Sequence, residues 1–195
     1  MDIKIFFGLV GVVLSLAGYF PYLKGILSGK IKPHVFSWLI WVITTGIAFL
    51  GQIYGNAGAG AWVTGIAFFF CIIITILTLR KGRIEITKTD WISFVTAIFA
   101  IILWIITKQP LLSVLLSILI DAAGYVPTFR KSYYRPYEEA TLLWFLNGLK
   151  FLLALFALTE FNLLSSIFPI YLIATNWSLF ILILIRRKQI HLRTA

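Results

Sequence analysis

The stretch Ala17-Gly18-Tyr19-Phe20-Pro21 decides the fold, because a near copy, Ala123-Gly124-Tyr125-Val126-Pro127, returns 106 residues later. Each copy lies near the end of an apolar run, and a basic segment follows each one. The same offset superposes further pairs: Lys24 on Arg130, Trp38 on Trp144, Ala48 on Ala154, and Arg80-Lys81 on Arg186-Arg187. The sequence therefore predicts an internal duplication.

The composition is that of a chain that spans a membrane several times. Of the 195 residues, 61% are hydrophobic and only 12% are charged, and the mean hydropathy is +0.98. A soluble domain of this length has too little interior to bury so much apolar surface. The single cysteine, Cys71, excludes an internal disulfide. The net charge of +10 would suit a nucleic-acid partner, but in a membrane protein the distribution of the charge among the loops matters more. We therefore predict no such partner.

Seven segments are long and apolar enough to be read as membrane spans, each of which needs roughly 20 residues. We call them spans one to seven; they cover residues 5–26, 35–54, 60–79, 91–107, 111–129, 140–158 and 164–185. The expected fold class is an all-α integral membrane protein with seven transmembrane helices.

The basic residues sort by loop onto one side of the membrane. Fourteen of the 17 lysines and arginines follow spans one, three, five and seven, whereas the opposite side has only Lys4 and Lys108. By the positive-inside rule the basic side is cytoplasmic, so the N-terminus is expected outside and the C-terminus inside. The first apolar stretch lacks the basic start and cleavage site of a signal peptide. The absence of a targeting segment favours a prokaryotic inner membrane.

The duplication predicts how the halves are oriented. Spans one to three correspond to spans five to seven, which gives a first repeat at 1–82, a linker helix at 83–110 and a second repeat with a basic tail at 111–195. A three-span unit reverses direction across the membrane, and the extra fourth span restores it. The repeats are therefore expected to be parallel and to enclose a central path.

This plan resembles the SWEET sugar transporters, the half-size SemiSWEETs and the wider PQ-loop group. The residues that carry the resemblance are Pro21 and Pro127, the early Trp38 and Trp144 of the following spans, and Tyr54-Gly55 at the end of span two. The resemblance implies two parallel three-helix bundles joined by one helix, which move a small solute such as a sugar by alternating access. It also assigns Pro21 and Pro127 as hinges. The alternative is that each proline only marks a helix end.

Two ionisable residues lie inside spans of the second repeat. Asp121 is central in span five and Lys150 in span six, and their repeat equivalents are the uncharged Ser15 and Thr44. Such groups are costly in lipid and face a cavity or each other. They are expected either to form an ion pair or to line a polar pocket. In a pocket, Asp121 would bind a proton or a cationic group and Lys150 a carboxylate or phosphate.

Further polar and aromatic residues point to the same region. Asn147 lies one turn before Lys150 and shares its face of span six, and Trp144 lies one turn earlier. Asn176 is central in span seven, where a buried amide needs a partner. The resemblance implies that Asn176 and Trp41 line the central pocket. The alternative for each is ordinary packing.

The remaining features exclude several classes. The chain has no nucleotide-binding loop, no nucleophile motif and no metal-ligand spacing, so no enzyme activity, cofactor or metal is predicted. Glu138 and Glu139 are expected at the start of span six, where they suit the helix dipole. The predicted function is passive or proton-coupled transport of a small molecule. The alternatives are an amino-acid or organic-acid carrier using Asp121 and Lys150, or a membrane receptor similar to KDEL receptors. The oligomeric state is not predicted.

Overall fold

The computed structural model describes residues 2–81 and 109–194, together with residues 88, 91, 92, 95, 98, 102 and 106 between them. These residues form helices and connections, with no strand among them. The six helices are α1 (Ile3–Leu27), α2 (Val35–Tyr54), α3 (Gly60–Lys81), α4 (Pro110–Tyr134), α5 (Thr141–Phe156) and α6 (Leu163–Thr194), with a short 3-10 turn at Pro136–Glu138 before α5.

Four of the described helices are long and apolar enough to cross a membrane, namely α1, α2, α3 as far as Arg80, and α6 from Leu163 to His191. The chain is therefore an integral membrane protein by the length and composition of its helices. The six helices lie where spans one to three and five to seven were predicted. Span four, 91–107, lies outside the described residues except for isolated positions.

Helix α5 is shorter than the predicted span six and has 16 residues. Glu139 has extended backbone, with φ −124° and ψ 147°, and its carboxylate is bonded to Tyr22 and Lys131. The helix consequently begins only after Ala140. The expectation that Glu138 and Glu139 start this helix was therefore wrong, because Glu138 ends the 3-10 turn and both acids make tertiary contacts instead.

The two halves, α1–α3 and α4–α6, run in the same direction. At the start of α1, Lys4 Nζ donates to the carbonyl of Thr159, after α5. Near the end of α4, Lys131 Nζ donates to the carbonyl of Lys32, after α1. We call the end of the bundle that holds Lys32 and Lys131 the basic end, and the end that holds Thr159 the opposite end. Helix α6 finishes at the basic end, where Arg187 contacts Pro136. The start of α1 and the finish of α6 thus lie at opposite ends of the bundle.

The halves meet around a pseudo-twofold axis. Helix α1 packs against α5, and α2 packs against α4. A rotation that places each half on the other exchanges these two contacts between helices. Lys32 and Glu138 occupy equivalent positions in the two halves, 106 residues apart, and their side chains meet at 2.9 Å. A residue that touches its own repeat equivalent lies on the axis that relates them. The exact repeat boundaries near residues 82 and 110 stay predictions.

Within the second half, α5 and α6 pack closely at Gly148. A Cβ atom built there would lie 2.0 Å from Nε1 of Trp177, far inside a van der Waals contact. The indole nitrogen donates to the carbonyl of Phe145 at 3.3 Å, which holds the ring in place. Glycine, which has no side chain, is therefore required at position 148 for the close approach of these two helices.

We predict that Gly148→Ala destabilises the protein by about 1–3 kcal/mol, because the added methyl group displaces a fixed indole ring. Thermal unfolding in detergent measures the effect. Gly51→Ala is the matched control, since its Cβ would meet Val114 at an ordinary 3.4 Å. Equal midpoints for the two variants would show that α5 and α6 are not packed as described.

Candidate functional site

A small cavity lies in the core where the two halves meet. Its volume is about 30 Å³, which is room for about one water molecule. Both halves line it, with residues from α1 to α6: Tyr19, Trp38, Trp41, Thr45, Ala67, Cys71, Asp121, Tyr125, Trp144, Asn147, Phe151, Leu172 and Asn176. Of the residues predicted for the site, Trp41, Asp121, Trp144, Asn147 and Asn176 are thus brought together.

Asp121 lies on α4 and is buried, with 1% of its surface exposed. Its Oδ1 accepts a hydrogen bond of 2.7 Å from Oγ1 of Thr44 on α2, across the seam between the halves. Its Oδ2 is buried without a hydrogen-bond partner among the described residues, as is the hydroxyl of Tyr171 on α6. The carboxyl group therefore keeps unused capacity to accept a hydrogen bond.

Lys150 lies on α5, is fully buried, and does not line the cavity itself. Its Nζ donates to the hydroxyl of Tyr19 on α1 at 3.1 Å and lies 4.3 Å from the centre of that ring. The ring of Phe151 is 5.1 Å away. Aromatic faces stabilise a desolvated ammonium group, and the Tyr19 that holds it also lines the cavity. None of the carboxylates in the described parts of the chain lies within ion-pair distance of Nζ.

The ion pair between Asp121 and Lys150, one of the two arrangements expected, is therefore absent from the described residues. The repeat gives the physical reason. Asp121 lies in the seam between α2 and α4, and Lys150 lies in the equivalent seam between α1 and α5. The offset of 106 places Thr44 on Lys150 and Asp121 on Ser15. Each charged group thus meets an uncharged partner from the first half, on its own side of the axis.

Four polar atoms on cavity-lining residues are buried without a hydrogen-bond partner in the part of the chain that the structure describes. Two are donors, Nε1 of Trp41 and Nε1 of Trp144, and two are acceptors, Oδ2 of Asp121 and Oδ1 of Asn176. The amide nitrogen of Asn176 is used within its own helix, in a bond of 2.7 Å to the carbonyl of Leu172. Buried polar atoms are nearly always paired, so a cluster of orphans at one cavity indicates a partner that is a ligand or water.

Aromatic rings form much of the cavity wall. The centroids of Trp41 and Tyr125 are 4.7 Å apart, and those of Trp41 and Trp144 are 5.7 Å apart. Tyr19, another lining residue, stacks on Phe70 outside the cavity lining at 4.5 Å, with the ring planes 5° from parallel. Apolar faces with a few polar atoms between them are typical of sites for small molecules.

Sequence reasoning missed several cavity residues, above all Tyr19 and Tyr125. These two tyrosines occupy equivalent positions in the repeated motif that begins at Ala17 and at Ala123. A signal for them was therefore present, since an aromatic residue repeated two positions before each predicted hinge proline is a candidate wall residue in both halves.

The two predicted hinge prolines differ in their surroundings. Pro21 lies inside α1 and is exposed, whereas Pro127 lies inside α4 and is buried. Both helices continue past the proline, to Leu27 and to Tyr134, so neither proline marks a helix end. Their role as hinges stays a prediction. Within the described residues, no group of three or more histidine, cysteine or acidic side chains is placed to hold a metal ion.

No family model, no curated protein and no solved structure matches this chain.

We predict that Lys150→Met leaves thermal stability unchanged to within about 1 kcal/mol or raises it, because the variant removes a buried ammonium group that has no counter-ion among the described residues. Thermal unfolding in detergent tests this, and Leu179→Ala in the same core is the control. Leu179 is fully buried, so its truncation is expected to cost about 2–5 kcal/mol. A loss of that size in Lys150→Met would mean that the lysine is retained for stability.

Proposed function

We propose that this protein is a membrane transporter that carries a small polar solute by alternating access between its two halves. In this proposal the chain has seven transmembrane helices in a SWEET-like arrangement, with the fourth predicted span, 91–107, as the linker. The observation that supports it best is the cavity on the pseudo-twofold axis, where buried polar atoms without partners meet aromatic rings. Transport needs a site that both halves share and that either side can reach in turn.

The residues of the cavity suit a solute with several hydroxyl groups, such as a sugar. Trp41 and Trp144 present ring faces and indole donors, and Asp121 and Asn176 present free acceptors. Asn147 lines the same space and is 7% exposed. A neutral solute that hydrogen-bonds to these atoms would compensate for the cost of keeping them unpaired in the empty site. Pro21 and Pro127 are then the points about which the halves of α1 and α4 bend.

A second candidate substrate class is favoured by one observation. Asp121 and Lys150 are both buried in the same core and do not neutralise each other. An amino acid or an organic acid would place its carboxylate near Lys150 and Tyr19, and an ammonium group or a proton near Asp121. Transport of such a solute is proton-coupled if Asp121 changes its protonation during the cycle.

For orientation in the membrane, we propose that the basic end faces the cytoplasm and the start of α1 faces outward. The charges at the finish of α1, α4 and α6 support this assignment. A prokaryotic inner membrane is the proposed location.

The experiment that tests the function is counterflow in proteoliposomes, with a panel of sugars, amino acids and organic acids, with and without a pH gradient. We predict that Asp121→Asn lowers the flux of the accepted solute by about tenfold or more, because one buried charge-assisted hydrogen bond contributes roughly 1.5–3 kcal/mol. The asparagine side chain preserves the shape and can still accept the bond from Thr44.

The matched control is Thr78→Val, which removes a buried hydroxyl that bonds only within α3, to the carbonyl of Ile74 at 2.7 Å. Its flux should equal that of the unmodified protein. Saturable binding with no flux for any solute would instead support a receptor similar to KDEL receptors. Equal flux in Asp121→Asn and in the unmodified protein would remove Asp121 from the site.

A further inference from the structure

The two ends of the pseudo-twofold axis are closed by different chemistry. At the basic end, Lys32 from the first half and Glu138 from the second meet at 2.9 Å, and the backbone nitrogen of Lys32 donates to the carbonyl of Glu138 at 3.3 Å. At the opposite end the contacts are mostly between amides. Asn162 Nδ2 donates to the carbonyl of Gly55 at 3.3 Å, and the backbone nitrogen of Thr159 donates to that of Ala57 at 3.1 Å.

A second acidic residue, Glu139, adds further contacts beside the Lys32–Glu138 pair at the basic end. Its side chain is 1% exposed. One carboxylate oxygen accepts a hydrogen bond of 2.9 Å from the hydroxyl of Tyr22 on α1, and the other forms an ion pair with Lys131 on α4. The ammonium group of Lys131 also donates to the carbonyl of Lys32 at 2.8 Å. Both acids therefore tie the first half to the second.

The 3-10 turn that carries these acids is fixed to the second half. The guanidinium group of Arg187 on α6 donates to the carbonyl of Pro136 at 3.0 and 3.1 Å and to that of Glu139 at 2.7 Å. Any separation of the halves at the basic end must consequently break the contacts of Lys32 and Tyr22, because the turn moves with α6.

We propose that Lys32, Glu138, Glu139 and Tyr22 form a charged latch, which holds the basic end of the solute path shut and must open for solute to pass there. The inference rests on the proposed transport function, but the latch has a readout that does not need transport. The core cavity lies between this latch and the amide contacts of the opposite end. The latch includes one ion pair between the halves, Lys32 with Glu138, and the described residues form no ion pair at the opposite end. A charge reversal at Lys32 therefore weakens the basic end alone.

The chain contains a natural reporter for this opening. Cys71 is its only cysteine; it lines the cavity and is 3% exposed. A membrane-impermeant maleimide reaches it only through an opened end of the path. The rate of modification, measured with the reagent on each side of proteoliposomes of uniform orientation, therefore reports which end is open.

We predict that Lys32→Glu, which places like charges at the axis, raises the modification rate from the basic side by about tenfold, as expected for a shift of that size in the open population. The double variant Lys32→Glu/Glu138→Lys restores the attraction, so its rate should return to that of the unmodified protein. This recovery also shows that the single variant is folded. Glu139→Gln, which keeps the side-chain shape but loses the charge, should raise the rate from the same side.

Lys30→Glu is the matched control, since Lys30 is exposed and makes no hydrogen bond or ion pair to the described residues; its rate should not change. The latch is refuted if Cys71 in Lys32→Glu reacts with the maleimide at the same rate as in the unmodified protein, or if its rate rises equally from both sides. It is also refuted if the rate in the double variant does not return to that of the unmodified protein. A latch that responds as predicted in a protein that moves no solute would refute the transport proposal alone. Solute flux with no latch response would refute the latch alone.

Discussion

The contact between two parallel three-helix units along one pseudo-twofold axis is the constraint on which the rest of the structure depends. Because α1 packs on α5 and α2 on α4, positions that are equivalent in the repeats lie on opposite sides of the axis or touch on it. Lys32 and Glu138 touch on it at the basic end. Asp121, Asn147 and Asn176 are buried at the cavity where the halves meet.

The two halves differ in their polar residues, so the surroundings of the axis are chemically uneven. The second half holds both buried charges, where the first half has Ser15 and Thr44. The first half supplies their partners, because Thr44 donates to Asp121 and Tyr19 accepts from Lys150. A similar exchange occurs on the third helix of each repeat, where Phe70 of the first half corresponds to Asn176 of the second. Both halves contribute aromatic residues to the cavity wall, whereas Asp121, Asn147 and Asn176 all come from the second half.

Much of this arrangement could be predicted from the sequence, since both the apolar runs and the repeat offset are properties of one chain. The apolar runs and the repeat offset predicted the positions of the described helices, the parallel direction of the halves and five residues of the cavity, among them Asn147 and Asn176. What they could not supply is which side chain faces which across a seam. Lys150 consequently contacts Tyr19 and does not line the cavity. The acids before α5 tie the halves together instead of starting a helix. Helical periodicity assigns a residue to a face, whereas the partner depends on the packing of another helix.

Under the proposed function, the size of the cavity constrains how a solute would be bound. Sites for small molecules have volumes of roughly 300 Å³ or more, about ten times the 30 Å³ found here. The difference cannot be made up by side-chain rotation alone, because Trp41, Tyr125 and Trp144 are in mutual ring contact and are buried. A closely packed core opens by discrete displacement of whole elements and not by gradual loosening. In the proposed transport cycle, the space therefore comes from separating α1 and α2 from α5 and α4. Such a movement makes room for the solute beside the indole donors and the acceptors of Asp121 and Asn176, which already lack partners among the described residues.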